Sequence, residues 1–314
     1  MPIELPKDKW AGKVREITIG ATAADGGTRA RSITVGGDST LPFLQFEKPA
    51  LHTPVIAVEI KSRKPEDWSP LLMEAWGDVM DDPARWAKAA EAAGADAIVL
   101  WLTMEDSADD AVNTVKAVLA ATTVPLMVYG PGQPDKDNEL IVAVSDAFRG
   151  ERLVLGICED KNYRTIVASA MANGHLVTAR TAMDVNLAKQ LNILITDMGL
   201  PADRLLMDPT TGALGYGIEY GYSSMERLRL AALQGDSMTQ QPMIVTIGAE
   251  TWKAKEAKVG TGVPAAWGDW KTRAILWETT TAMALLEAGA SILVLRHPES
   301  IQRMRLAISE LKAA

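Results

Sequence analysis

The sequence contains a single cysteine, and this scarcity excludes two kinds of chemistry within the chain. One thiol cannot form an internal disulfide, which is expected of a protein from a reducing cytoplasm. An iron–sulfur cluster needs about four thiolates, so any cluster would have to lie on a partner chain. Cys158 stands in the apolar run RLVLGICED, which predicts a small buried side chain rather than a reactive one.

Basic residues are also in short supply. The chain has 32 lysines and arginines against 40 acids, a formal net charge of −8, whereas a phosphate-binding face needs a basic surplus. Nucleic acid is therefore not an expected partner. No apolar run approaches the length of about 18 residues that a membrane-spanning helix needs, and the first residues lack the apolar core of a signal peptide. We therefore expect a cytoplasmic protein.

Short apolar runs alternate with amphipathic or alanine-rich segments along most of the chain. Near-continuous hydrophobicity is typical of parallel strands, which are buried on both faces. Eight strands, each followed by a helix, favour an α/β fold of the (β/α)8, or TIM, barrel type over residues 51–314. A doubly wound sheet is the rival, but no G-x-G-x-x-G motif opens a helix after a strand. The eight predicted strands are residues 55–60, 97–102, 125–129, 152–157, 176–180, 204–208, 243–247 and 291–295.

Residues 1–50 are predicted to form an extension at the amino terminus. Two β-prone runs, Glu16–Ile19 and Ser32–Val35, flank the turn signal Asp25-Gly26-Gly27. This arrangement predicts a β-hairpin with a loop longer than a two-residue turn.

Two segments carry clear helix signals. Asp82 followed by Pro83 predicts a capped helix start. Near the carboxyl terminus, apolar residues at helical spacing predict a helix with one buried stripe, formed by Ile301, Met304, Ile308 and Leu311.

Candidate catalytic residues are few. Ligands bind such barrels at the carboxyl ends of the strands, so His52 and His175, which precede strands, are expected to be structural. His297 follows the eighth strand and is a candidate base, although a plain loop would also explain it. Glu159 and Asp160 could do acid–base work, but an ordinary salt-bridged loop fits equally. No G-x-S-x-G motif supports nucleophilic catalysis.

Nine tryptophans against three phenylalanines are unusual. Trp267, Trp270 and Trp277 lie three and seven residues apart, which predicts one face of a shared helix. Core packing is the simple interpretation, and a subunit interface is the second, because tryptophan is enriched where subunits meet.

The segment MDPTTGALGYGIEYGYS, residues 207–223, follows the sixth predicted strand and contains four glycines. It lacks the Lys-Ser/Thr of a phosphate-binding P-loop. Glycines let a backbone approach a ligand closely, as a large planar molecule would require, and two threonines offer uncharged hydrogen bonds. A compact Ω-loop would explain the same composition.

Two motifs together resemble the small subunit of the corrinoid iron–sulfur protein. They are VGGDSTLPFLQFE, residues 35–47, and DPTTGALGYGIEYGYS, residues 208–223. The archaeal counterpart of that family is the delta subunit of the acetyl-CoA decarbonylase/synthase complex. Length, hairpin and eight βα units agree with the resemblance over essentially the whole chain.

The resemblance implies a TIM barrel that pairs with a larger subunit carrying a four-iron cluster and a corrinoid-binding domain. The corrinoid would lie between that domain and the carboxyl-end face of this barrel. Such a heterodimer carries a methyl group on cobalt in the reductive acetyl-CoA (Wood–Ljungdahl) pathway. It takes the methyl group from methyltetrahydrofolate through a methyltransferase and delivers it to acetyl-CoA synthase. On this view the barrel shields the corrinoid and is not itself catalytic.

The candidate corrinoid-binding residues are inferred from their position on the expected ligand face and not from contacts known in the family. The stronger candidates belong to the glycine-rich segment, and three weaker ones come from the same rim. They are Thr210, Thr211, Gly212, Gly215, Tyr216 and Gly217, followed by Asp160, Arg180 and Glu250.

Two other functions stay open at this point. The chain could be a stand-alone pterin-binding TIM-barrel methyltransferase, with strand-end acids such as Glu59 and Asp208 holding the pterin ring. It could also be a purely structural barrel that stabilises the larger subunit without touching a cofactor.

Overall fold

A computed structural model describes residues 5–313 and contains ten strands. Two short strands precede the barrel, and eight strands form it, as the apolar runs predict. The strands are β1 Ile17–Ile19, β2 Ile33–Val35, β3 Val55–Lys61, β4 Ala97–Trp101, β5 Leu126–Tyr129, β6 Val154–Cys158, β7 Leu176–Arg180, β8 Leu205–Asp208, β9 Met243–Val245 and β10 Ala290–Leu295.

Strands β3 to β10 form a closed parallel barrel in which β10 pairs with both β9 and β3. The TIM-barrel prediction is therefore confirmed. In this order β3 and β7 stand on opposite sides of the barrel, four positions apart. All eight carboxyl ends open on one face, because the strands are parallel.

Helices surround the barrel. They are α1 Pro70–Trp76, α2 Pro83–Ala92, α3 Ala108–Ala121, α4 Pro134–Ala147, α5 Tyr163–Asn173, α6 Val185–Asp197, α7 Ile218–Leu233, α8 Ile247–Thr251, α9 Lys255–Lys258, α10 Trp270–Glu287 and α11 Pro298–Ala313. Across residues 5–313, no helix is both long and apolar enough to cross a membrane.

The predicted helix signals are confirmed. The Asp82 carboxylate accepts a hydrogen bond from the backbone N–H of Ala84 and caps α2, with Pro83 in the first turn. On α11, Ile301, Met304 and Ile308 are buried against the barrel, as the apolar stripe predicts.

The hairpin at the amino terminus is confirmed and closes the lower end of the barrel. β1 and β2 pair antiparallel, with Ile17 opposite Val35. Ile17, Ile19 and Val35 are buried in one cluster with the side chains that fill the barrel interior. Polar contacts fasten the extension: the Arg29 guanidinium donates to the carbonyl of Thr122 at 2.8 Å, just before β5.

One local prediction was wrong. Trp267 does not share a helix with Trp270 and Trp277, because it ends a 3-10 turn and Gly268, with φ of 70°, separates that turn from α10. The glycine-rich segment, residues 207–223, is only partly a loop. α7 begins at Ile218, so the last third of the segment is helical.

Candidate functional site

Two aromatic side chains close the upper end of the barrel interior. The Tyr129 ring is fully buried and meets the Trp101 ring edge-on, with centroids 5.2 Å apart. The Tyr129 hydroxyl is hydrogen-bonded to the Thr178 hydroxyl at 2.9 Å, and burial raises the pKa of the phenol. The interior is therefore filled beneath the mouth, and a ligand would lie on this face rather than deep in the barrel.

A buried ion pair joins the ends of β7 and β8. Arg180 and Asp208 are partners in the strand register, and their side chains meet at 2.9 Å. Asp208 is fully buried, and its second oxygen accepts the backbone N–H of Thr210 at 3.0 Å. This carboxylate is thus fully engaged within the chain.

A second ion pair lies on the other side of the mouth. Arg296, after β10, donates to Glu59 of β3 at 2.5 Å, and its guanidinium lies 4.3 Å from the Trp68 ring centroid. The backbone N–H of Arg296 donates to the buried Glu278 carboxylate at 2.7 Å. Burial raises the pKa of Glu278. Glu278 therefore positions Arg296.

Lys61 differs from these arginines because its ammonium makes no direct ion pair, although the carboxylates of Glu59 and Asp67 lie near enough to attract it. Its ammonium lies 6.0 Å from the Trp101 ring centroid and, within the described part of the chain, has no hydrogen-bond or ion-pair partner. Burial is the main cause that lowers the pKa of this lysine.

Two cavities open on the mouth. The first, of about 390 Å³, is lined by the ends of β3, β4 and β10 and by the segment after β9, and its wall includes Lys61, Trp68, Trp101 and Arg296. The second, of about 460 Å³, lies between the ends of β6, β7 and β8 and one face of α6. The Arg180 guanidinium, which lines the second cavity, lies 5.8 Å from the centroid of the Trp101 ring, which lines the first. The mouth therefore extends from the ends of β3 and β4 to α6.

The structure brings three of the predicted site residues together. Asp160, Arg180 and Thr210 line the second cavity. Glu250 stands apart on α8, where it pairs with Lys253 at 2.9 Å beside the first cavity.

Both threonines of the glycine-rich loop are used by the protein itself. The Thr210 hydroxyl donates to the carbonyl of Thr181, and Thr210 adopts a left-handed φ of 62°. The Thr211 hydroxyl is buried and accepts the backbone N–H of Thr246 at 2.9 Å.

The glycines of this loop serve its own folding. A Cβ on Gly212 would lie 2.3 Å from the carbonyl oxygen of Gly217, so only glycine fits there. Gly215 and Gly217 have left-handed φ values of 74° and 89°. None of the three lines either cavity, but Gly215 and Tyr216 are exposed on the loop, and the Tyr216 side chain is half exposed.

Two tryptophans of the predicted cluster anchor loops on this face. The Trp277 indole donates to the carbonyl of Leu214 at 3.0 Å, and that of Trp270 donates to the carbonyl of Ala257 at 2.9 Å. These bonds support the packing interpretation, because each ring fixes a segment of its own chain.

Two of the three histidines are buried. His175 is buried, with its ring nitrogens bonded to the backbone N–H of Leu153 and the carbonyl of Ser145. His297 is also buried and stacks on Trp252, with ring centroids 5.8 Å apart. Burial lowers the pKa of His297 to about 4. His297 does not line either cavity of the mouth.

The prediction of a buried cysteine is confirmed. Cys158 is buried in β6, as predicted, and burial raises the pKa of its thiol. Among residues 5–313, no three histidine, cysteine or acidic side chains are grouped so that they could hold a metal ion.

Residue selection from the sequence missed part of the site. Three of the missed residues stand at or directly after the carboxyl end of a strand, and this position could have identified them: Lys61, Trp101 and Arg296. The glycine-rich composition of the segment after β8 favoured other candidates. Trp68 carries no such signal, because it lies in the connection before α1.

Comparison with known proteins places the chain among named relatives. A sequence model described as CO dehydrogenase/acetyl-CoA synthase delta subunit matches residues 16–308. The acetyl-CoA decarbonylase/synthase complex subunit delta of Archaeoglobus fulgidus is 36% identical over 309 residues, which is 94% of this chain and 68% of the relative. That of Methanopyrus kandleri is also 36% identical, over 93% of this chain and 73% of the relative.

Solved structures support the fold alone. Dihydropteroate synthase from Xanthomonas albilineans superposes with a TM-score of 0.57 at 12% identity, covering 83% of this chain and 94% of that one. The enzyme from Thermus thermophilus gives a TM-score of 0.52 at 16% identity, covering 95% and 98%.

Proposed function

Because the chain belongs to the CO dehydrogenase/acetyl-CoA synthase delta subunit family, we propose that it is the small subunit of a heterodimeric corrinoid iron–sulfur methyl carrier. In this proposal it works in the cytoplasm, in the reductive acetyl-CoA pathway. It helps a methyl group pass from a methyltetrahydrofolate:corrinoid methyltransferase to acetyl-CoA synthase. The observation that carries the proposal is the family match over residues 16–308.

The partner in the heterodimer would be the larger subunit, which supplies the iron–sulfur cluster. Cys158 is the one cysteine of this chain and is buried in a strand, so it offers no ligand set for a cluster. The relatives are themselves named as subunits of a complex, which supports a function within an assembly.

The mouth suits a broad, flat ligand such as a corrinoid. Trp101 and Tyr129 fill the centre, the first cavity lies beside Trp101, and the second lies beside Arg180. The rim carries both hydrogen-bond donors and acceptors, for example the Lys61 ammonium as a donor and the Asp160 carboxylate as an acceptor. An amide-rimmed ring needs both donors and acceptors, so these residues fit the group.

The barrel would bind and shield the cofactor rather than react with it. A bound corrinoid supplies the cobalt centre that accepts and releases the methyl group. Arg180, Asp160 and Thr210 are the candidate contacts in the second cavity, and the exposed Gly215 and Tyr216 form the adjacent rim. Burial of one ring face against the mouth would exclude water from that face.

The pterin-binding alternative has less support. It needs strand-end acids that are free to hold a pterin ring, but Asp208 is paired with Arg180 and Glu59 with Arg296. Tyr129 also fills the space beneath. The structural similarity to dihydropteroate synthases, at 12% identity, supports a common fold and nothing about their ligands.

Co-production with a cysteine-rich larger subunit tests the proposal. We expect the purified heterodimer to retain corrinoid, detected by its visible spectrum, and to accept a methyl group when the methyltransferase and methyltetrahydrofolate are added. The same measurements on each subunit alone are the controls.

Two results would count against the proposal. Methylation of added corrinoid by this chain alone would establish the enzyme alternative. Equal retention and methyl transfer by the larger subunit alone, and by a heterodimer carrying Gly215→Trp, would establish the purely structural alternative.

A further inference from the structure

The first cavity of the mouth holds a cation that the protein leaves without a partner. Arg180 is paired with Asp208, and Arg296 is paired with Glu59, yet the Lys61 ammonium has neither an ion pair nor a hydrogen bond within residues 5–313. The Lys61 side chain is part-buried, so its ammonium has given up some of its water without gaining a direct contact in exchange. The ammonium is therefore available to a hydrogen-bond acceptor on a ligand.

The surroundings of Lys61 give further hydrogen-bonding atoms without partners. The indole N–H of Trp101 and the hydroxyl of Thr103 both line the first cavity and have no hydrogen-bond partner among the described residues. Such groups are uncommon in native proteins, and each calls for a water or a ligand. Lys61 and Trp101 need an acceptor, and Thr103 can take either role.

The charges of the cavity argue for a neutral ligand group. Lys61, Lys253, Lys258 and Arg296 line it together with the carboxylates of Glu59, Asp67 and Glu105. A phosphate or carboxylate would meet the ammonium but would also meet these acids. A primary carboxamide avoids the conflict, since its oxygen accepts from a lysine while its amino group donates to a carboxylate.

We propose that Lys61 binds a carboxamide side chain of the corrin ring, with the first cavity of the mouth as its pocket. This inference rests on the proposed function and names the part of the ligand that β3 and β4 recognise. Lys61 is then a binding residue that helps to orient the ring, and Trp101 forms the wall beside it.

Direct binding measurements test this role. Heterodimers freed of corrinoid would be titrated with cobinamide, whose ring carries carboxamides but no nucleotide tail, and binding followed by equilibrium dialysis. A hydrogen bond to a charged donor contributes enough that Lys61→Met should weaken binding about tenfold or more. Lys61→Arg, which keeps a cationic donor, should restore part of the affinity.

Lys116→Met is the matched control. Lys116 is exposed on α3 and lines neither cavity of the mouth, so its loss should change cobinamide binding less than twofold. Equal subunit stoichiometry and equal circular dichroism of all variants would establish that the mouth is still folded.

The outcomes separate the two proposals. Unchanged cobinamide affinity in Lys61→Met, with binding by the wild type, overturns the Lys61 inference and leaves the carrier function intact. A loss seen with complete cobalamin but not with cobinamide assigns Lys61 to the phosphate of the nucleotide tail and also overturns it. A wild-type heterodimer that binds neither compound overturns the carrier function itself.

Discussion

Arg180 and Asp208 face each other from neighbouring strands, and two guanidinium nitrogens of Arg180 meet one oxygen of the buried carboxylate at 2.9 Å. The pair closes one side of the barrel mouth, and its arginine also contacts the Trp101 ring. Since Asp208 has no exposed surface, the arginine both neutralises it and reaches the face where a ligand would lie.

Loss of the arginine should therefore destabilise the fold. Arg180→Met leaves a buried carboxylate without its counter-charge, and we expect a decrease of about 3 kcal/mol in the free energy of unfolding. Urea denaturation followed by circular dichroism measures it. The double variant Arg180→Met/Asp208→Asn should recover part of the loss. If the double variant is no more stable than the single one, the pair is not the source of the effect.

The two glycines of the β8–α7 loop should respond differently to alanine. Gly212→Ala places a Cβ against the backbone of Gly217, so it should lower the melting temperature more than Gly215→Ala. Gly215 has room for a methyl group, since its nearest neighbour would be Trp277 at 3.7 Å, and its cost is the left-handed backbone, about 1–2 kcal/mol. Differential scanning calorimetry gives the order, and the reverse order contradicts this account.

Trp277 should hold the same loop in place. Trp277→Phe removes the hydrogen bond to the Leu214 carbonyl, and we expect destabilisation by about 0.5–1.5 kcal/mol together with faster amide exchange over residues 210–217. Hydrogen-exchange mass spectrometry measures the loop directly. Trp270→Phe is the matched control, because its indole bonds to Ala257 instead and should leave this loop unchanged.

His297 should make the protein sensitive to acid. Burial lowers its pKa from 6.5 to about 4 in the folded chain, so the unfolded chain binds the proton more tightly. Stability from this group is present above pH 6.5 and is lost as the pH falls towards 4, by up to about 3 kcal/mol.

A series of urea denaturations between pH 7.5 and pH 4.5 tests this effect. His297→Gln should be less stable than the wild type at neutral pH, since the Trp252 stacking is lost, but its stability should fall less steeply in acid. Parallel curves for the two proteins would contradict the assignment.

The sequence predicted the barrel because burial has a local signature. Runs such as Val55–Ile60 and Ser291–Leu295 are apolar at nearly every position, which identifies a strand buried on both faces wherever it lies in the chain. The count of eight then determined the topology. The paired motifs identified the family, which the relatives confirm.

The mouth was harder to predict because its contacts join distant parts of the chain. Trp101 of β4 lies near both Lys61 of β3 and Arg180 of β7, and no local pattern reveals that side chains from strands three positions apart approach each other. The glycine content of the β8–α7 loop led to an expectation of close contact with a ligand. Glycine indicates that another group approaches the backbone closely, but at Gly212 that group is the backbone of Gly217 in the same loop.

The hairpin beneath the barrel has a consequence for timing. Ile17, Ile19 and Val35 close the lower end, and Trp101 and Tyr129 fill the interior above them, so a ligand would reach the mouth from the open side of that face. Under the proposed function, a partner that covers this face would control both the entry and the release of the ligand. Partners that act on the ligand would then have to bind the same face one after another.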